Sequence, residues 1–144
     1  MQATKLSETT LAELASALRD AVLVVRRRVG GTEHEKAAVV LLSHLLSVGP
    51  VRAGDLAERA CLDPSTVSRH LKSLEGAGYL TRTPDPADGR ATVVEVSAEG
   101  RRLVDDAREQ RIALLRSALV GWTASDVATL TTLVRRLADD LEMP

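Results

Sequence analysis

Apolar side chains recur at helical spacing near the start of the chain. They lie three or four residues apart, at Leu11, Leu14, Leu18, Val22 and Val25. This spacing places them in one stripe along a helix that we predict from Ser7 to about Val29. The pair Gly30-Gly31 is expected to end that helix.

A second helix is predicted to follow at once and to be buried. Thr32 and Glu35 have the spacing of a capping box, in which each side chain satisfies a free backbone N–H of the first turn. The run from Ala37 to Leu46 is apolar nearly all round, which indicates a central helix. Gly49-Pro50 is expected to end it.

Two shorter helices are predicted next. The first, from Asp55 to Ala60, turns Leu56, Ala57 and Ala60 inward, and Cys61-Leu62 forms the turn after it. Asp63 is a preferred N-cap, and Pro64 stands at the first helical position, where its missing N–H costs nothing. This second short helix should run to about Gly76.

The remaining pattern predicts a hairpin and two long helices. Segments 79–82 and 91–96 have β-type composition and flank a polar loop, 83–90, that is rich in turn residues. Ser97 and Thr123 are suitable caps for the last two helices, which carry further apolar stripes. The fold class is therefore mainly α with a small β-hairpin.

Composition narrows the class of protein. The chain has 144 residues, of which 44% are hydrophobic and 1% aromatic, so one domain with a core of Leu, Val and Ala is expected. The sequence shows neither a secretory signal nor an apolar run long enough to span a bilayer. Cys61 is the single cysteine, which fits a reducing compartment. We expect a cytoplasmic protein without membrane contact.

Net charge alone gives no support for nucleic-acid binding. The formal charge is −1, and over residues 52–102 eight basic groups balance eight acidic ones. Because the Debye length is only about 8 Å at physiological salt, the placement of charges matters more than their sum.

The helix from Pro64 has two chemically different faces. Val67, Leu71 and Leu74 share one face, and the opposite face carries hydroxyl and basic groups, namely Ser65, Thr66, Ser68, Arg69 and Lys72. Hydroxyls approach phosphates or base edges closely, and Arg forms a bidentate bond to guanine, so this face suits a major groove. A solvated amphipathic helix would show a similar pattern. The loop residue Arg90 favours DNA, because an Arg on a protruding wing can enter the minor groove, with Asp88 orienting its guanidinium.

Three motifs in this region resemble the MarR family of bacterial winged-helix regulators. They are the LAER…LDPSTVSRHL helix pair, the L-x-x-x-G-Y-L-x-R entry to the wing, and Asp88-Gly89-Arg90 followed by V-x-V-S-x-x-G. Together they cover about a third of the chain. In place of Val96-Ser97 the family usually has Leu-Thr, and Ser still serves as a helix cap.

The resemblance implies a single domain in which residues of about 33–97 form a winged helix-turn-helix DNA-binding lobe, while about 7–29 and 98–142 form dimerisation helices. It implies a homodimer on a pseudo-palindromic operator in double-stranded DNA, usually acting as a repressor, with half-sites about 10 base pairs apart. Family members often bind small aromatic effectors, whose identity nothing in this sequence indicates. By resemblance, major-groove contacts fall to Ser65, Thr66, Ser68 and Arg69, phosphate contact to Lys72, and the minor groove to Arg90 with Asp88 as its partner. Arg52 and Arg82 are weaker phosphate candidates, and Arg82 could equally pair with an acidic group on the wing.

Other functions have weaker support in the sequence. Cys61 could be a redox sensor, although its position in the turn favours a small buried side chain. His34, His44 and His70 are too scattered for a zinc site, and no metal or other cofactor is expected. No nucleophile elbow, metal signature or phosphate loop indicates an enzyme. A winged-helix module that binds protein is the alternative, but such a surface should expose apolar or aromatic groups where this helix carries hydroxyls, Arg and Lys.

Overall fold

The computed structural model describes residues 6–59 and 63–142. Within these ranges it contains six α-helices and three β-strands. In chain order they are α1 (Glu8–Arg28), α2 (Glu33–Val48), β1 (Val51–Arg52), α3 (Ala53–Arg59), α4 (Pro64–Gly76), β2 (Leu80–Asp85), β3 (Asp88–Val96), α5 (Ala98–Ala118) and α6 (Ala124–Glu142). The chain forms two compact units, which divide between Arg111 and Ile112.

The core of the first unit lies between α2, α3, α4 and the strands. Its most deeply buried side chains are aliphatic and come from each of these elements: Leu42, Leu45, Leu56, Val67, Leu71 and Val94. Burial of the aliphatic side chains of α4 fixes which face of that helix is turned to solvent. The predicted inward positions of Leu56 and Ala57 are confirmed, whereas Ala60, Cys61 and Leu62 lie outside the described residues.

The helix ends follow the predicted caps. Ser7 caps α1 through the backbone N–H of Thr10, and Thr32 forms the predicted capping box with Glu35. The prediction that α2 is central and buried holds for one of its faces only. Its inner face is buried, but Val40 is 73% exposed. The core elements cover only one side of α2, so apolar composition alone overstated its burial.

The sheet is larger than the sequence predicted. Its strand order is β1-β3-β2, all antiparallel, and the two-residue β1 adds a third strand by pairing Val51 with Val94. Strands β2 and β3 continue through most of the predicted loop 83–90, which leaves a two-residue turn at 86–87. Pro84 is tolerated inside β2 because β2 is an edge strand, and the register shifts next to Pro84.

The root of the hairpin is joined to the start of α5. Ser97 donates its backbone N–H to the carbonyl oxygen of Tyr79 (3.0 Å) and its hydroxyl to that of Gly78 (2.6 Å). The Ser97 hydroxyl also accepts the N–H of Gly100 (3.0 Å), so Ser97 caps α5 as predicted.

The second unit contains the end of α5 and all of α6. Thr123 and Asp126 exchange hydrogen bonds at the start of α6, which confirms the predicted cap. Apolar side chains of this unit are largely exposed, and α1 of the first unit carries a similar exposed stripe. The large members of the two sets are Leu11, Leu14, Leu18, Val22, Leu23 and Val24 on α1, and Ile112, Leu115, Val120, Trp122, Leu130, Leu133, Val134 and Leu141 in the second unit.

Candidate nucleic-acid interface

Helix α4 presents a polar face whose orientation is set by its buried side. Val67, Leu71 and Leu74 are buried, as the sequence predicted. On the opposite side Ser65, Ser68, Arg69 and Lys72 are exposed and Thr66 is half-buried. His70 is exposed next to them.

The first turn of α4 is held by Asp63. Its carboxylate accepts the backbone N–H of Thr66 (3.0 Å) and the hydroxyl protons of Ser65 and Thr66. The hydrogen bond from the Ser65 hydroxyl, followed by that from the Thr66 backbone, holds the pKa of Asp63 below its ordinary value. Two of the predicted groove-contacting hydroxyls therefore also support the cap, while Ser68, Arg69 and Lys72 lie further along the helix.

The turn of the hairpin is organised by two aspartates. Asp85 accepts the backbone N–H of Ala87 (2.8 Å), and Asp88 accepts the backbone N–H of Arg90 (3.1 Å). The sequence suggested that Asp88 orients the Arg90 guanidinium, but its hydrogen bond goes to the Arg90 backbone. The aspartates thus shape the tip, and the Arg90 side chain is exposed on it.

The two weaker phosphate candidates are held by carboxylates. Arg52 Nε lies 2.6 Å from Asp85 Oδ2, and Arg82 Nε lies 2.8 Å from Glu75 Oε2. The sequence left Arg82 open between phosphate and an acidic group on the wing; its partner Glu75 belongs to the last turn of α4. The sequence predicted neither Asp85 nor Glu75 as a partner. A signal existed only for the position of Asp85, because an aspartate at the start of a turn favours an Asx turn.

A cavity of about 820 Å³ lies in the first unit, bounded by the end of α1, the start of α2 and residues 103–111 of α5. Its walls combine aliphatic side chains with a few polar groups: Arg26, Glu35, Lys36, Asp106, Gln110 and Arg111. Gln110 accepts the backbone N–H of Gly30 (2.9 Å), and Arg26 and Lys36 both bond to Glu33. The backbone hydrogen bond from Thr32 lowers the pKa of Glu35. Such a mixture of apolar walls and convergent polar groups is typical of small-molecule sites.

Within residues 6–59 and 63–142, no helix is long and apolar enough to cross a membrane. No cluster of three or more His, Cys, Asp or Glu side chains there could hold a metal ion. His34 instead contacts the Ser73 hydroxyl, at 3.3 Å.

A short helix followed by a helix with a polar outer face, beside a three-stranded antiparallel wing, defines a winged helix-turn-helix protein. Comparison with known proteins agrees. Residues 36–92 match the MarR family profile. An HTH-type transcriptional regulator of Mycobacterium leprae is 34% identical over 104 residues, which cover 69% of this chain and 73% of the relative. The chain belongs to the MarR family of DNA-binding transcriptional regulators, which are not enzymes.

Solved structures share the fold. A MarR family protein from Bacillus stearothermophilus superimposes with a TM-score of 0.80 at 21% identity, covering 96% of this chain and all of that one. The PcaV transcriptional regulator from Streptomyces coelicolor, solved with its natural ligand, gives 0.63 at 26% identity, covering 99% of this chain and 100% of its own.

Proposed function

We propose that this chain represses transcription as a homodimer bound to a pseudo-palindromic operator in the bacterial cytoplasm. The observation that carries the proposal is the exposed face of α4, with hydroxyl and basic groups set beside a wing that ends near Arg90. MarR family regulators bind DNA and act as dimers, which supports the same reading. In this proposal residues of about 33–97 form the DNA-binding lobe, and about 7–29 and 98–142 form the dimerisation helices.

The groove contacts follow from the chemistry of each side chain. Ser68 and Arg69, with Ser65 and Thr66 at the helix start, would contact base edges in the major groove. Lys72, one turn beyond Ser68, would contact phosphate, and Arg90 would enter the minor groove. Asp88 would act through the backbone of the wing tip. The assigned cations Arg69, Lys72 and Arg90 are all exposed, as such contacts require.

Dimerisation would cover the exposed apolar side chains of α1 and of the second unit. Large aliphatic groups such as Leu133 and Leu141 are 57% and 76% exposed. Soluble monomers rarely expose stripes of large apolar side chains, and removing apolar surface from water is favourable by about 25 cal/mol per Å². A twofold axis would then place two copies of α4 about 10 base pairs apart on the operator.

A small-molecule effector would occupy the cavity between α1, α2 and α5. Its volume, about 820 Å³, lies within the range of ligand pockets. The PcaV regulator, which shares the fold, was solved with its natural ligand. Ligand binding there would release the operator if it favoured a different spacing of the two DNA-binding lobes.

The test is a gel shift with the promoter of the protein's own gene, at two salt concentrations and with non-specific competitor. A discrete complex that survives competitor and weakens with salt would support the proposal, and footprinting would give the half-site spacing. If the gel shift shows no complex and selection from random DNA sequences also yields no binding site, the winged helix serves a protein partner instead.

A further inference from the structure

Arg52 and Asp85 form a contact that spans the sheet. Arg52 ends β1 and immediately precedes α3, whereas Asp85 ends β2, and β3 lies between these two strands. Both Nε (2.6 Å) and Nη2 (2.5 Å) of Arg52 approach the same oxygen, Asp85 Oδ2. The contact therefore ties the entrance of the helix-turn-helix to the outer end of the wing.

Both oxygens of the Asp85 carboxylate accept hydrogen bonds. While Oδ2 accepts the guanidinium, Oδ1 accepts the Ala87 backbone N–H at 2.8 Å and closes the two-residue turn. With Arg52 in place, the Asp85 side chain is only 11% exposed, so little water reaches the carboxylate. One largely covered carboxylate thus joins the wing turn to β1.

The surroundings of Arg52 disfavour a second anion. Asp85 raises the pKa of Arg52, and Asp88 and Asp55 also contribute negative potential at the guanidinium. A DNA phosphate would have to approach a guanidinium that already contacts one carboxylate and feels the negative charge of two more. Arg69, Lys72 and Arg90 are in no salt bridge among the described residues and offer phosphates a better site.

We propose that Arg52 is a positioning residue, which holds the wing and with it Arg90 through Asp85 and makes no DNA contact of its own. The inference rests on the proposed function, operator binding. Without the contact between Arg52 and Asp85, the turn of the wing is less ordered in the free protein and must become ordered when DNA binds. The backbone entropy of about one residue then lowers affinity roughly tenfold.

The experiment measures operator affinity by fluorescence anisotropy from low to moderate salt, for the dimer and its variants. Asp85→Asn retains an oxygen for the Ala87 N–H but loses the charge that holds Arg52. We expect Arg52→Gln and Asp85→Asn to weaken binding by similar factors, roughly tenfold. The double variant should be no weaker than either single one, with the wild-type salt slope throughout.

A phosphate contact at Arg52 would give the opposite pattern. Arg52→Gln would then flatten the salt slope by about 0.9 per subunit. Asp85→Asn would strengthen binding, because it removes a negative charge near DNA. Either result overturns the proposal. A wild-type chain that binds no selected sequence would instead overturn the proposed function.

Two further measurements distinguish a positioning role of Arg52 from a phosphate contact and from a general loss of folding. Arg52→Lys keeps the charge but loses the paired donors, so it should weaken binding as Arg52→Gln does, whereas a phosphate contact would tolerate Lys. Without DNA, hydrogen exchange at residues 85–90 should become faster in Arg52→Gln while the core amides of α4 stay protected. Unchanged exchange at the wing tip would contradict the positioning role.

Discussion

Gly100 lies where the first turn of α5 meets the turn after α4, and we predict that its replacement by alanine destabilises the protein. A Cβ at this position would lie 2.4 Å from the carbonyl oxygen of Tyr79 and 2.9 Å from Val96 Cγ1. That carbonyl cannot rotate away, because it accepts the Ser97 N–H at 3.0 Å. Overpacking typically costs about 1–3 kcal/mol, and the gain in helix propensity returns at most about 1 kcal/mol. A contact of 2.4 Å with backbone belongs in the upper part of that range, about 2–3 kcal/mol, so the expected net loss is about 1–2 kcal/mol.

The assay is urea unfolding followed by circular dichroism, with all variants at one protein concentration because dimerisation shifts apparent stability. Gly76→Ala is the matched control: Gly76 is also helical, and nothing lies within 4 Å of its added Cβ. The control should be as stable as wild type or more so. If Gly100→Ala unfolds at the wild-type urea concentration, the steric argument is wrong. An equal loss in both variants would mean that the close contact with Tyr79 is not the cause of the loss at Gly100.

Three further predictions concern α4 and the wing. Arg90→Ala should weaken operator binding at least tenfold while light scattering still shows a dimer; unchanged affinity would refute the minor-groove assignment. Lys72→Ala should lower the slope of log affinity against log salt concentration by about 0.9 per lost phosphate contact. A loss of affinity confined to one base position would instead mean that Lys72 contacts a base. Because its folded-state pKa is lowered, Asp63 should stabilise the fold above pH about 4 and lose that effect as the pH falls through its lowered pKa. Asp63→Asn keeps the cap but does not titrate, so the free energy of unfolding measured with urea should fall less steeply at acid pH than in wild type. Identical pH dependence in the two proteins would contradict this.

Sequence reasoning succeeded where the signal is local. Helix α4 begins at Pro64 and ends at Gly76 as predicted, because Asp63 and Pro64 specify a helix start within a few residues of chain. The glycine of V-x-V-S-x-x-G was noticed only as a family motif, and the structure gives its physical reason. Residue 100 faces a backbone carbonyl, so no side chain fits there.

Sequence-based prediction failed where an element is determined by contact with residues that are distant in the chain. Strand β1 has two residues and no periodicity, and it exists because Val51 pairs with Val94. The segment 83–90 has the composition of a loop, yet pairing with β3 extends β2 to Asp85. Strand pairing is decided by partners, which a single segment does not specify.

The same limit explains how a lobe without net charge can bind DNA. Counting charges gives zero over residues 52–102, but the count treats every cation alike. The fold places Asp85 on Arg52 and Glu75 on Arg82, so four of those charges cancel within contact distance. Because potentials decay over about 8 Å, such pairs contribute little at the groove surface. Arg69, Lys72 and Arg90 are in no salt bridge among the described residues, so positive potential should be strongest around them, where sequence-specific contact is proposed.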